Sequence, residues 1–264
     1  MDMGLKHKTA LVTGSTKGIG RAIAMELASE GVNVLVNGRS AEEVARMVQE
    51  IQAEYPKTSP QGVAADLVDH QQREALCKKH PDIDFLINNM GIYEMMQYED
   101  TDDDVWENYF RTNVLAANGL TRFYLPRMRE KKMGRIIFIA SEEAVMPSGK
   151  MPQYAVTKSA LLSLSKSLSK LTAGTDVTVN TIMPGPTLSE NVQQIIEGVY
   201  ANEDIRFEEK EQRFMAARLP QSELQRFIRP FEIGRLAAFL CSPHASAFRG
   251  SPLRMDGGMV PTIF

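Results

Sequence analysis

The sequence predicts a single α/β domain: a doubly wound sheet of about seven mostly parallel strands with helices on both faces. Three observations predict it. Short apolar runs recur along the whole chain and alternate with helix-length patterns, as in successive β-α units. The runs are β-branched or nearly all apolar, as strands are when helices cover both sides of a sheet. A glycine-rich loop follows the first run directly, where such a sheet opens its ligand crevice.

The elements follow in order. KTALVT (8–13) reads as the first strand, with a helix from Gly18 to about Glu30. VNVLVN (32–37) is the second strand, followed by a helix over 40–54. GVAAD (62–66), IDFLIN (83–88), RIIFIA (135–140), DVTVNTI (176–182) and SPLRMD (251–256) complete the set. Helices between them permit parallel pairing through right-handed crossovers, giving a Rossmann-like sheet. No repeat, low-complexity tract or linker divides the chain, so residues 1–264 are expected to form one domain. Residues 187–229 break the rhythm, with helical composition, many charges (ANEDIRFEEKEQR) and no strand. We expect a helical substrate lid there, because insertions beside a crevice tend to carry function; the alternative is an extra helical layer.

Composition excludes several classes. A hydrophobic fraction of 43 %, a charged fraction of 24 % and a net charge of −3 describe a soluble globular protein without a nucleic-acid surface. The 2 cysteines, Cys77 and Cys241, form no metal or disulfide pattern, and no histidine lies at ligand spacing from another. The N-terminal MDMGLKHKTALVTG lacks the apolar core of a signal peptide, and no run is long enough to span a membrane, so the cytoplasm is the expected location.

The loop TGSTKGIG spans residues 13–20. It lacks the GK[ST] ending of a Walker loop and the GxGxxG spacing of the most familiar dinucleotide fold. Its physics is shared with both. Glycines let the backbone approach a pyrophosphate, and the following helix offers unpaired N–H groups and a positive dipole end. Gly14, Ser15, Thr16, Lys17, Gly18, Ile19 and Gly20 are thus the expected phosphate cradle. At the end of the second strand the sequence is VNGRS, with no carboxylate before Glu42. An acid there would hold the ribose 2′-hydroxyl of NAD, whereas Arg39 and Lys17 suit the 2′-phosphate of NADP. NADPH is therefore expected over NADH. Further on, YAVTK places Tyr154 and Lys158 four residues apart, on one face of a helix. An ammonium beside a phenol favours the phenolate, so such a tyrosine could exchange a proton with an alcohol or ketone.

Together, TGSTKGIG, NNMG (88–91), Asn113, Ser141, YAVTK (154–158) and MPGPT (183–187) resemble the classical short-chain dehydrogenases/reductases, as does the tail over 229–258. The resemblance implies an oxidoreductase acting on a ketone/secondary alcohol pair with NADP. It implies that Tyr154 is the acid/base and that Lys158 lowers its pKa and holds the nicotinamide ribose. It implies that Ser141 polarises the substrate oxygen and that Asn113 anchors a proton-relay water. By the same likeness Asn88 steadies the sheet and borders the cofactor, Asp66 and Leu67 lie at the adenine, and Pro184, Gly185 and Thr187 line the nicotinamide. The family commonly pairs the helix carrying Ser159, Ala160, Ser163 and Ser167 across a subunit interface, implying a homotetramer or homodimer. A 3-oxoacyl-thioester reductase, a sugar-nucleotide isomerase and a non-catalytic dinucleotide sensor are the alternatives; retention of Asn113, Ser141, Tyr154 and Lys158 argues against the sensor.

Two departures stand out. Met90 replaces the usual alanine of the NNAG motif, and a local shift is expected, since methionine fills irregular gaps. Glu142 and Glu143 follow Ser141, where a second serine is common. We expect both to be solvated on a loop; if one faced the pocket, it could bind a polar or cationic substrate group. Met90, Met95, Met96, Met146, Met151 and Met183 either form an adaptable pocket wall or fill the core.

Overall fold

The computed structural model describes residues 2–263. Seven strands form one sheet: β1 Thr9–Val12, β2 Asn33–Gly38, β3 Gln61–Ala64, β4 Phe85–Asn88, β5 Met133–Ile139, β6 Asp176–Pro184 and β7 Pro252–Met255. Their order is β3-β2-β1-β4-β5-β6-β7 and every pairing is parallel. The sheet is thus wholly, not mostly, parallel. The predicted strands match these bounds to within about two residues at each end.

Strand alternation divides the core into two layers. Ala10, Val12, Val34, Val36, Phe85 and Ile87 face one side, packed on α1 Gly18–Ser29, α2 Ala41–Glu54 and α9 Pro230–Cys241. Leu11, Leu35, Leu86, Ile136 and Phe138 face the other, against α3 His70–Lys79, α5 Ala116–Glu130 and α6 Pro152–Lys170. Successive strand side chains point to opposite faces, so a one-residue register slip would turn both layers inside out. Because the strands are parallel, their C-terminal ends share one edge. The glycine loop, Asp66, Asn88, Ser141 and Pro184 are therefore gathered along a single crevice.

The helix after β4 is not one regular helix. α4, Asp103–Phe110, continues through a π-helical turn, Arg111–Leu115, into α5. Asn113 lies in that turn, and widened turns of this kind often re-aim a side chain.

Residues 187–229 are helical, as expected, with α7 Glu190–Val199 and α8 Phe207–Arg218. They form their own small core of Ile196, Met215 and Phe227, bordered by Val192, Tyr200 and Phe214. Both ends of the excursion are stitched together. Thr187 and Ile228 form a parallel bridge, and Leu188 N–H donates to the Ile228 carbonyl at 2.9 Å. Glu211, only 2 % exposed, accepts from both Arg229 guanidinium nitrogens at 2.7 Å and from Phe227 N–H at 2.9 Å. A buried carboxylate needs this kind of bidentate partner to offset its lost hydration.

Candidate active site

The glycine loop is held by the ends of three strands. Thr13 Oγ1 donates to the Ile87 carbonyl at 3.3 Å and accepts from Asn89 and Met90 N–H, each at 2.9 Å. Asn89 Nδ2 donates to the Thr13 and Gly14 carbonyls at 2.9 and 3.1 Å. Ser15 Oγ donates to the Val12 carbonyl at 2.8 Å and accepts from Asn37 N–H at 3.0 Å. Asn37 Oδ1 accepts from Gly14 N–H at 3.3 Å, while its Nδ2 donates to Val63 and Ala65. Gly18 has φ +57°, and a Cβ on Gly20 would lie 2.2 Å from the Gly14 carbonyl oxygen, so neither position accepts a side chain freely.

The start of α1 has no side-chain cap. Instead the Glu190 carboxylate, from the first turn of α7, accepts the Gly18 N–H at 3.1 and 3.4 Å. An anion on this helix terminus is what its free N–H groups and dipole favour. The cradle thus fits the phosphates of a dinucleotide: it already accepts a negatively charged oxygen, and Lys17 and Arg39 are exposed with no ion pair among the described residues. Thr16 lies against Gly38, whose added Cβ would come within 2.7 Å of its methyl. Asp66 is half-buried and its Oδ1 accepts from Val68 N–H at 3.0 Å, with Leu67 fully buried beside it. Asn88 is buried, donates to Thr121 Oγ1 at 3.2 Å, and leaves its Oδ1 without a partner. Pro184 closes β6; Gly185 N–H donates to Met255, and Thr187 Oγ1 to the Gly185 carbonyl at 2.8 Å.

Ser141, Tyr154, Lys158 and Asn113 are brought together. Ser141 ends the extension of β5, and α6 begins with Pro152 at its first turn, presenting Tyr154 and Lys158 one turn apart. The Ser141 hydroxyl donates to Glu142 and accepts from Glu143 N–H, and it offsets part of the upward pKa shift that burial gives Tyr154. Lys158 Nζ lies 5.4 Å from the centre of the Tyr154 ring and donates to the Ile139 carbonyl at 2.8 Å. Asn113 Oδ1 accepts from Ile92 N–H at 2.8 Å, and its Nδ2 donates to Ile92 O and Thr157 Oγ1 at 3.1 and 3.0 Å. A Cβ on Gly91 would lie 3.2 Å from Asn113 Oδ1 and 3.4 Å from Lys158 Nζ, so the two side chains meet across that glycine.

Tyr154 is pushed up from the ordinary phenol range, first by burial and then by Glu142, Glu143 and the Tyr93 hydroxyl, with Ser141 opposing. Burial outweighs whatever Lys158 contributes. Its ammonium is engaged by the Ile139 carbonyl and faces the ring, and burial pushes its own pKa down to about 8.

The two glutamates also differ from expectation. Neither is simply solvated. Glu143 is buried and its Oε2 accepts from Ser148 N–H at 2.9 Å, which fixes the loop. Glu142 is half-buried and its Oε2 accepts from Ser141 Oγ at 2.5 Å. Burial pushes the Glu142 carboxyl up to about 7, helped by Glu143 and opposed by Ser141 and nearby backbone N–H groups. The methionines do not form one wall: Met183 is in the core, Met95 is exposed, and Met90 packs on the layer of α5 and α6.

Comparison with known proteins decides the family. A short chain dehydrogenase model matches residues 8–199. This chain belongs to the short chain dehydrogenase family. It is a dehydrogenase/reductase acting on a carbonyl/alcohol pair. It is 46 % identical to the uncharacterized oxidoreductase YvaG of Bacillus subtilis (strain 168), with both chains covered in full. It is 35 % identical to the D-beta-hydroxybutyrate dehydrogenase of Cupriavidus necator, over 97 % of this chain and 99 % of that one. The L-sorbose reductase of Gluconobacter frateurii, solved with NADPH and L-sorbose, superposes with a TM-score of 0.92 at 30 % identity over the full length of both chains.

Thr13, Asn37 and Asn89 escaped the sequence reading as site residues. Thr13 and Asn89 sit inside the quoted motifs, so a signal existed. Asn37 sits inside VNGRS, but its partners lie on the glycine loop and on and just after β3, which that stretch does not reveal.

Proposed function

We propose that this chain is an NADPH-dependent reductase of ketones, with Tyr154 as the proton donor. The observation that supports the reading is Lys158 Nζ set 5.4 Å from the Tyr154 ring on α6, with Ser141 and the glycine loop at the same C-terminal edge of the sheet. Gly14, Ser15, Thr16, Lys17, Gly18, Ile19 and Gly20 would hold the pyrophosphate, and Lys17 with Arg39 the 2′-phosphate. Asp66 and Leu67 would border the adenine, while Asn88, Tyr154, Lys158, Pro184, Gly185 and Thr187 would hold the nicotinamide end. When bound, the dinucleotide supplies the hydride.

The protein manages one proton and one developing charge. Burial keeps Tyr154 protonated at neutral pH, which suits a donor to the carbonyl oxygen as its carbon is reduced. Ser141 donates to the same oxygen as negative charge grows there. Lys158, beside the ring, makes the resulting phenolate tolerable, and Asn113 shares its neighbourhood across Gly91. α7 and α8 act as the lid, and α6 as an interface of a homodimer or homotetramer working in the cytoplasm.

The test follows nicotinamide absorbance with NADPH and a panel of ketones. Tyr154→Phe should keep NADPH binding and lose turnover by about a hundredfold or more. Undiminished turnover in that variant would remove the proton-donor assignment.

A further inference from the structure

Ser141 has one hydroxyl proton, and its partner in the structure is Glu142. Ser141 Oγ donates to Glu142 Oε2 at 2.5 Å, while the same oxygen accepts from Glu143 N–H at 3.3 Å. The reaction proposed above needs that proton on the substrate oxygen. A simple ketone offers only acceptor lone pairs, so above about pH 7, where Glu142 is ionised, it competes with a carboxylate for the serine proton, and the carboxylate is the stronger acceptor. A ketone with a hydroxyl on the neighbouring carbon brings its own donor. In such a compound the carbonyl and hydroxyl oxygens lie about one hydrogen-bond length apart, as do Ser141 Oγ and Glu142 Oε2. The two pairs of oxygens can therefore match side by side.

We propose that Glu142 selects ketones carrying a hydroxyl next to the carbonyl, and that this hydroxyl takes the place of Ser141 on Glu142, freeing the serine proton for the reacting oxygen. The inference rests on the reductase reading. Glu142 is the right carboxylate of the two, because Glu143 is buried and spent on Ser148 N–H. A hydroxyl fits better than an ammonium. Lys158 already supplies a cation beside Tyr154. Tyr93, whose ring lies 6.1 Å from that of Tyr154 and is exposed, borders the same opening.

The experiment uses ketones in matched pairs with and without the neighbouring hydroxyl, hydroxyacetone and acetone being the smallest. kcat/KM is measured with NADPH for the unaltered protein, Glu142→Ala and the near-isosteric Glu142→Gln. The unaltered protein should favour the hydroxylated member by roughly tenfold or more, the size of one hydrogen bond to a charged partner. Glu142→Ala should erase the preference from both sides, the hydroxylated ketone falling and the plain one rising, with Glu142→Gln between. Calorimetric binding of hydroxyacetone to the protein loaded with NADP⁺ should weaken by a similar factor in Glu142→Ala. Equal rates within each pair for the unaltered protein, or the same preference in Glu142→Ala, would overturn the role of Glu142 while leaving the reductase reading intact. Consumption of NADPH with no ketone at all would overturn both.

Discussion

Lys158→Met tests the electrostatics of the site through stability, without any substrate. The lysine is 4 % exposed, and burial moves its pKa from 10.5 to about 8. A shift of that size corresponds to about 3 kcal/mol of differential interaction. The folded pKa lies below the unfolded one, so the contribution to stability is fully present above the unfolded pKa, where the amine is neutral in both states. It is lost as pH falls through about 8, where the folded protein must carry a buried ammonium. Methionine fills similar space without the charge. The substitution also removes the 2.8 Å bond to the Ile139 carbonyl, at a cost of roughly 1–3 kcal/mol that does not vary with pH. The informative quantity is therefore the stability difference between the two proteins at several pH values, in which every other titrating group cancels. Urea unfolding of the cofactor-free proteins should show the unaltered chain gaining about 3 kcal/mol on Lys158→Met between neutral pH and the lysine's normal range. A difference that stays flat with pH would mean that Lys158 is solvated, and the buried-ammonium picture would fall.

Other consequences are equally open to measurement. Arg39→Ala should weaken NADPH by roughly tenfold to a hundredfold in a fluorescence titration and leave NADH nearly unchanged; equal effects would defeat the 2′-phosphate role. Glu190→Gln removes the charge that sits on Gly18 N–H, so NADPH should bind more tightly by a factor of a few, and unchanged affinity would show that the carboxylate does not compete for the cradle. Glu211→Ala strands the Arg229 guanidinium and Phe227 N–H, and should cost roughly 3–5 kcal/mol. Hydrogen exchange should then rise first in α7 and α8, whereas uniform exchange across the sheet would contradict a separate small core there.

How much of this was legible in the sequence depends on how far apart the interacting residues are. The strands were legible because each is a short apolar run between helix-length patterns; burial on both faces leaves little choice of residue. Tyr154 and Lys158 were legible because one helix turn separates them. Their electrostatics were not, because the partner of Lys158 is the Ile139 carbonyl on β5, which no spacing rule reveals. Glu142 and Glu143 look alike in sequence. The short 3₁₀ turn Glu142–Ala144 sends one back to Ser141 and the other towards Ser148. Met90 stands where alanine is usual, and its side chain finds room by packing on the core layer of α5 and α6, a placement the motif alone does not give. The helical content of residues 187–229 was readable from composition, but the clasp between Glu211 and Arg229 needed the chain to fold back on itself.

The most direct test of the central claim is the fate of the hydride. The protein is incubated with NADPH deuterated at the nicotinamide C4 and a ketone it consumes, and the alcohol is analysed by mass spectrometry and NMR. Reduction at this site predicts one deuterium on the carbinol carbon and none when Tyr154→Phe is used over the same time. Oxidation of NADPH without deuterium in the alcohol would contradict the account, since the cofactor would then be spent on some other acceptor.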